Sequence, residues 1–315
     1  MDKIYTIMKY KVFKNTLKNR KVMTKKIIIL LIGLSIISCK DFKKGFNEGY
    51  NDARGNKEES KITLHVLDGG KIVANKLDLF SEDTTYTGQS KTFADAFYVI
   101  QHPKGNLIWD GGLPESLVGM PEPFTDPSGA FTVSRKDSVV NQLKAIGLTV
   151  EDFKYIALSH SHFDHVGHAN VFKNTTWLVQ ENEYDFFTND SAQVKQADIY
   201  NSIKELKNVQ KLNGDHDVFG DGTVVIKSMP GHTIGHQVLY LNIGLEKPLL
   251  LTGDLYHFDE NRTYKRAPMF NYDIPMTKKS MEAFEAFAKE KNADVFIQHS
   301  QEDFDRLRTL IEKQK

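Results

Sequence analysis

The sequence predicts a mixed α/β domain on three observations. Short apolar runs recur, and each leads into a histidine or aspartate: Tyr155-Ile156-Ala157-Leu158 before His160, Val224-Val225-Ile226 before His232, Leu249-Leu250-Leu251 before Asp254, Val295-Phe296-Ile297 before His299. Runs of that length bounded by turn formers read as buried strands. Stretches with helical apolar spacing, Thr277 to Lys289 and Asp303 to Lys313, lie on either side of the last of them. Glycine-rich turns such as Asp110-Gly111-Gly112 and Pro230-Gly231 punctuate the runs where backbone must bend sharply.

Taken in order, residues 1–38 read as a secretory signal, with Met23 a second candidate start. Lys25 and Lys26 precede an apolar run from Ile27 to Ile37, which suits a signal core of about 7 to 15 residues better than a membrane span of about 20. Ser38-Cys39 resembles the bacterial lipobox, and Cys39 is the only cysteine in the chain. A diacylglycerol and an acyl chain on Cys39 would hold the mature protein at the bacterial cell envelope, on a periplasmic or outer-membrane face, because two chains anchor where one is marginal. Residues 39–60 then form a tether, with a root-mean-square reach of about 25 Å for a flexible coil of that length.

Charge is distributed unevenly. Of 41 Lys/Arg and 41 Asp/Glu, nine basic residues and one acidic residue fall in residues 1–38, so the remainder carries 32 against 40, a balance of −8. A nucleic-acid partner would want a basic face, and none is predicted.

Residues 61–315 read as one domain. Ile62 to Leu67 is a strand turned by Asp68-Gly69-Gly70, and Thr92 to Ile100 with Leu107 to Trp109 forms a hairpin. Pro114 to Arg135, with four prolines, reads as an irregular loop whose Met120, Phe124 and Phe131 would line or lid an apolar channel. Lys136 to Ile146 reads as a helix stopped by Gly147, and Thr176 to Val179 as a strand. Glu181, Glu183 and Asp185 read as the solvated face of a helix, and His168 as non-ligating. Phe258 to Met276 is a polar insertion placed where it could cover the site.

Ser159-His160-Ser161-His162-Phe163-Asp164-His165 organises the rest. His160 and His162 sit two apart, so in extended backbone both imidazoles leave one side and can grip one ion. Asp164 and His165 can face a second ion, and His232, Asp254 and His299 supply the remaining donors. Imidazole and carboxylate donors make zinc the default for two divalent ions, with iron, manganese and cobalt also compatible.

His-x-His-x-Asp-His, then Gly-His-Thr-x-Gly-His, Gly-Asp and a C-terminal His resemble the metallo-β-lactamase superfamily, over the chain from about Lys61 to its end. The resemblance implies an αβ/βα four-layer sandwich with a dinuclear site at one rim. It implies that His160, His162 and His232 hold the first metal, that Asp164, His165 and His299 hold the second, and that Asp254 bridges them. It also places Asp110 behind the site, orienting a ligand histidine. Leu67-Asp68-Gly69-Gly70, Gln101 to Pro114, Gln237 and Gly253-Asp254-Leu255-Tyr256-His257 are similar to the N-acyl homoserine lactonase branch. In that branch a tyrosine three positions after the bridging aspartate helps hold the substrate carbonyl. Here His257 occupies that position and Tyr256 precedes it; His257 is the favoured substitute, since its N–H can donate the same hydrogen bond.

The implied reaction is attack of a metal-bridging hydroxide on a lactone carbonyl, with Asp164 passing a proton to the leaving alkoxide. Alternatives are another hydrolase of the superfamily, acting on thioesters, phosphodiesters or β-lactams, and a non-catalytic metal-binding lipoprotein. A β-lactam enzyme should have Cys or Ser at position 254, a phosphodiesterase more basic residues at its rim, and a non-catalytic protein a missing ligand.

Overall fold

The first apolar run does not stop at its Gly-Gly pair. In the computed structural model, which describes residues 61–313, strand β1 spans Thr63–Ala74. Cys39, with the rest of the signal and tether reading, lies outside the described residues. The register of β1 against its neighbour slips between Asp68 and Gly70, so the glycines make a bulge within the strand. Gly69 then packs backbone to backbone on Gly112: a Cβ on Gly112 would lie 2.5 Å from the Gly69 Cα.

Among the described residues, eight strands form one sheet. After β1 come β2 (Lys91–His102), β3 (Gly105–Trp109), β4 (Phe124–Thr125), β5 (Phe131–Ser134), β6 (Phe153–Ala157), β7 (Thr176–Gln180) and β8 (Val209–Leu212), in the order β4-β5-β1-β2-β3-β6-β7-β8. The predicted β2–β3 hairpin forms, with His102 opposite Gly105. The segment expected to be an irregular loop contributes β4 and β5, which extend the sheet beyond β1. A second sheet holds β9 (His216–Asp217), β10 (Val224–Ser228), β11 (Gln237–Leu241), β12 (Leu249–Leu251) and β13 (Asp294–Phe296), in the order β13-β12-β11-β10-β9.

The two sheets pack face to face over Leu64, Tyr98, Leu107, Trp109, Ile226, Leu239, Leu251 and Phe296, all buried. The alternate residues of the first sheet, Phe97, Val99, Ile108 and Ile156, turn outward against Leu143, Phe172 and Phe187 of the helical segments covering it. On the second sheet, Tyr240, Leu250 and Val295 meet Met281 and Phe284 of the helix Ile274–Lys291. Strands buried on both faces carry apolar residues without alternation, which is why they read as continuous runs. The result is the helix–sheet–sheet–helix order expected from the resemblance. The helix after the second glycine turn begins at Val139, capped by the Ser138 hydroxyl, three residues later than predicted. Among the described residues no helix is long and apolar enough to cross a membrane.

Candidate metal centre

The ends of β3, β6, β12 and β13 and the β10–β11 loop converge at one rim. There two groups of donors assemble, His160, His162, His232 and Asp254 in one, and Asp164, His165, Asp254 and His299 in the other, with the ligating atoms of each within 4.8 Å of one another. All seven predicted ligands are therefore brought together, and Asp254 alone belongs to both groups.

Four of the five ligand imidazoles meet a polar partner on the outer nitrogen. His299 Nδ1 donates to the Ala94 carbonyl at 2.9 Å, His232 Nδ1 to Asn271 Oδ1 at 2.8 Å, and His165 Nδ1 to Asp110 Oδ2 at 3.2 Å. The Ser159 hydroxyl stands 3.1 Å from His160 Nδ1. An outer nitrogen that donates leaves the inner one with a lone pair. Those inner nitrogens crowd together: His160 Nε2 is 2.9 Å from His162 Nδ1, and His232 Nε2 is 3.1 and 3.0 Å from the two. Lone pairs at that spacing repel unless a cation lies among them. In the second group His165 Nε2 and Asp254 Oδ1 are buried with no hydrogen-bond partner among the described residues, although 3.2 Å apart. The donor set fits two divalent cations in type, geometry and orphaned valence.

Asp110, directly after β3, stands beside His165. Its Oδ1 accepts from Ser159 N at 2.6 Å and its Oδ2 from Gln298 Nε2 at 2.8 Å as well as from His165. It does so from a left-handed backbone conformation, φ 64°, which aspartate tolerates better than most residues. His236, the second histidine of its motif, faces elsewhere: its Nδ1 donates to the Met229 carbonyl and its Nε2 accepts from Asp254 N at 3.0 Å, fixing the shared aspartate's backbone.

The centre opens on a cavity of about 340 Å³, within the usual range for small-ligand pockets. Its walls are apolar, with Ile72, Leu79, Phe80, Phe131, Phe163 and Phe270 among them, and its floor is His162, Asp164, Asp254, His257 and His299. Phe131 lines it as predicted. Met120 and Phe124 do not; they are 45% and 46% exposed and lie outside the lining. The insertion after Asp254 does reach the site, through Phe270 and Asn271.

A family model described as the metallo-β-lactamase superfamily matches residues 94–299, which include every ligand in both groups. The chain belongs to the metallo-β-lactamase superfamily. Among relatives of this superfamily member, an N-acyl homoserine lactonase AttM of Rhizobium radiobacter is 32% identical over 221 residues, 64% of this chain and 80% of the relative. An N-acyl homoserine lactonase of a Bacillus species is 30% identical over 244 residues, 75% and 92% of the two chains. A solved N-acyl homoserine lactone hydrolase, with the product N-hexanoyl-L-homoserine bound at its catalytic metal centre, is 25% identical. It superposes with a TM-score of 0.67 over 78% of this chain and 96% of its own.

The protein groups alone split this metallo-β-lactamase centre into two electrostatic halves. Burial, reinforced by neighbouring imidazoles, drives His160 and His162 well below the usual histidine range, keeping them neutral. Burial opposes protonation of His299 too, but Asp254 and Asp164 override it and carry its pKa up to about 9. Burial also works to raise Asp254, yet His299, His165 and His257 hold it well below the carboxylate range.

Tyr256 and His257 separate cleanly. The Tyr256 hydroxyl donates to Glu285 Oε1 at 3.1 Å and its ring packs on Phe284, so it does not reach the cavity and is corrected as a site residue. His257 lines the cavity, with Nε2 3.1 Å from Asp254 Oδ2 and Nδ1 buried with no hydrogen-bond partner among the described residues. His168 stands outside both ligand groups, against Glu115. Glu183, read as part of a solvated face, is instead 2% exposed and accepts from Ser161 N and Gly235 N. Asn271, His236 and Glu183 were not predicted to act at the site. Only the place of Glu183, three residues past the rim end of β7, hints at its role.

Proposed function

We propose that this protein opens the lactone ring of N-acyl homoserine lactones, a quorum-quenching hydrolysis, using two zinc ions. One observation carries the reading: a carboxylate shared between two histidine-rich donor groups forms the floor of an apolar pocket. That pairing suits a substrate with a small polar ester head and a hydrocarbon tail. The identities of the curated relatives support it.

Bound divalent cations supply Lewis acidity toward a carbonyl oxygen and lower the pKa of water toward neutrality. The chain's own residues do the rest. Phe80, Phe131, Phe163 and Phe270 take the acyl chain and exclude water around the ester. His257 orients the carbonyl from the cavity floor. Asp164 lines the same cavity, and burial pushes its carboxyl above the usual range, although His165 and His299 pull it down. It is the group placed to hold a proton and return it to the departing ring oxygen. Proton release at pH 7 to 8 on adding short- and long-chain N-acyl homoserine lactones tests the reading, with His162→Ala as control. Ring opening that the control lacks is expected; its absence in the metal-loaded protein would overturn the substrate assignment.

We further propose that Cys39 carries a lipid and holds the protein at the cell envelope, on the strength of the apolar run and Ser38-Cys39. Cys39→Ser is expected to move the protein from the membrane fraction to the soluble one. A variant that still sediments with membranes would show that the anchor lies elsewhere.

A further inference from the structure

Glu183 sits in the first turn of the helix Glu181–Thr188, directly after β7, and is almost completely buried. Both of its oxygens are engaged, and on different loops. Oε1 accepts from the backbone N–H of Ser161 at 2.8 Å, between His160 and His162. Oε2 accepts from the backbone N–H of Gly235 at 2.9 Å, three residues after His232. The approach to the second loop is close: a Cβ on Gly235 would fall 2.5 Å from the Glu183 Cβ and 2.8 Å from its nitrogen. Gln180 extends the same tie, donating to Gln237 Oε1 at 3.1 Å while Gln237 donates to the Leu158 carbonyl at 2.8 Å. A helix's first turn and a strand end thus grip the two loops that carry the first metal's histidines.

We propose that Glu183 is a positioning residue for the first metal: one carboxylate fixes the spacing between the His160–His162 loop and the His232 loop, and so sets the affinity of that site over its neighbour. The inference rests on the dinuclear reading of the centre. The two sites differ in what holds them. His165 and His299 of the second site are oriented by Asp110 and by the Ala94 carbonyl, neither of which depends on Glu183. In the first site, none of the partners that turn individual rings sets the distance between the two loops.

The test is Glu183→Gln in the whole protein, because a glutamine is nearly isosteric but offers one acceptor where two N–H groups need two. Its amide nitrogen would point an N–H at another N–H. Metal equivalents retained during dialysis against a graded chelator are measured for both proteins, with Asp185→Asn, exposed on the same helix, as control. Visible spectra of the cobalt-loaded forms report each site's ligand geometry. The expected result is loss of one equivalent at roughly 10- to 100-fold lower chelator concentration, the range typical of removing a ligand's supporting partner, with the second equivalent retained as in the parent. A general loss of stability would lower both affinities together and overturn the proposal. So would a variant that holds both equivalents like the parent. Should the parent itself fail to take up two equivalents, the dinuclear reading fails and this inference with it.

Discussion

Asp254→Asn is expected to lower lactone turnover by roughly 10³-fold and to strip metal from both sites at once. The carboxylate is 3% exposed and lies 3.0 Å from His299 Nε2, 3.1 Å from His257, 3.2 Å from His165 and 3.3 Å from His232. Among the described residues no other belongs to both donor groups. Removing one partner of a buried charge cluster costs about 3–5 kcal/mol, because the remaining charges are left uncompensated, and asparagine supplies no charge against two cations. Metal content by elemental analysis and kcat/KM on one lactone check it together. Full metal occupancy with activity within tenfold of the parent would show that Asp254 does not bridge. The metal-free variant carries a second signature. With Asp254 neutral, the His299 pKa should fall from about 9, since that carboxylate is the main influence raising it. Stability contributed by this raised group is present in full below the ordinary histidine value of 6.5 and is lost as pH rises from there through about 9, so the metal-free variant's stability should decline less across that window.

Phe80→Ala is the second large effect, and it acts on stability and selectivity together. The ring is 2% exposed and meets Phe93 at 5.2 Å, His257 at 4.8 Å and Phe270 at 5.3 Å, edge-on in each case. Truncating a buried phenylalanine costs about 3–5 kcal/mol. The same truncation removes a wall of the cavity, so KM for long-chain lactones should rise about tenfold, while short-chain lactones, which need less of the wall, are less affected. Denaturant unfolding of the metal-loaded protein and a chain-length series check the two halves. Equal losses for all chain lengths would place the acyl group elsewhere.

The ligands were legible in the sequence because each follows a strand whose apolar run is continuous, and because the spacing of His160, His162, Asp164 and His165 needs no tertiary knowledge. Glu183 was illegible for the opposite reason. Its neighbours Glu181 and Asp185 are exposed, and Glu183 differs from them only in facing loops 22 and 52 residues away. His257 was favoured over Tyr256 only through its position three residues after Asp254 in the resemblance; beyond the 3-10 turn Gly253–Leu255 it is His257, and not Tyr256, that lines the cavity. The Gly69-Gly70 pair looked like a turn, since a bulge and a turn want the same residues, and only the β2 register distinguishes them. Phe124 falls outside the cavity on the edge strand β4, and Met120, ahead of that strand, is exposed; Phe131, the first residue of β5, lines it.

The direction of β1 has a practical side. Thr63 pairs with Gln101, next to the hairpin where His102 meets Gly105, whereas Asp110 and the ligands lie past the other end of β3. The chain therefore enters the sheet at the end remote from the cavity. A linkage to a bead, an electrode or a fusion partner placed ahead of Thr63 attaches there, so immobilised protein should keep its pocket clear of the support and turn over substrate as it does free in solution.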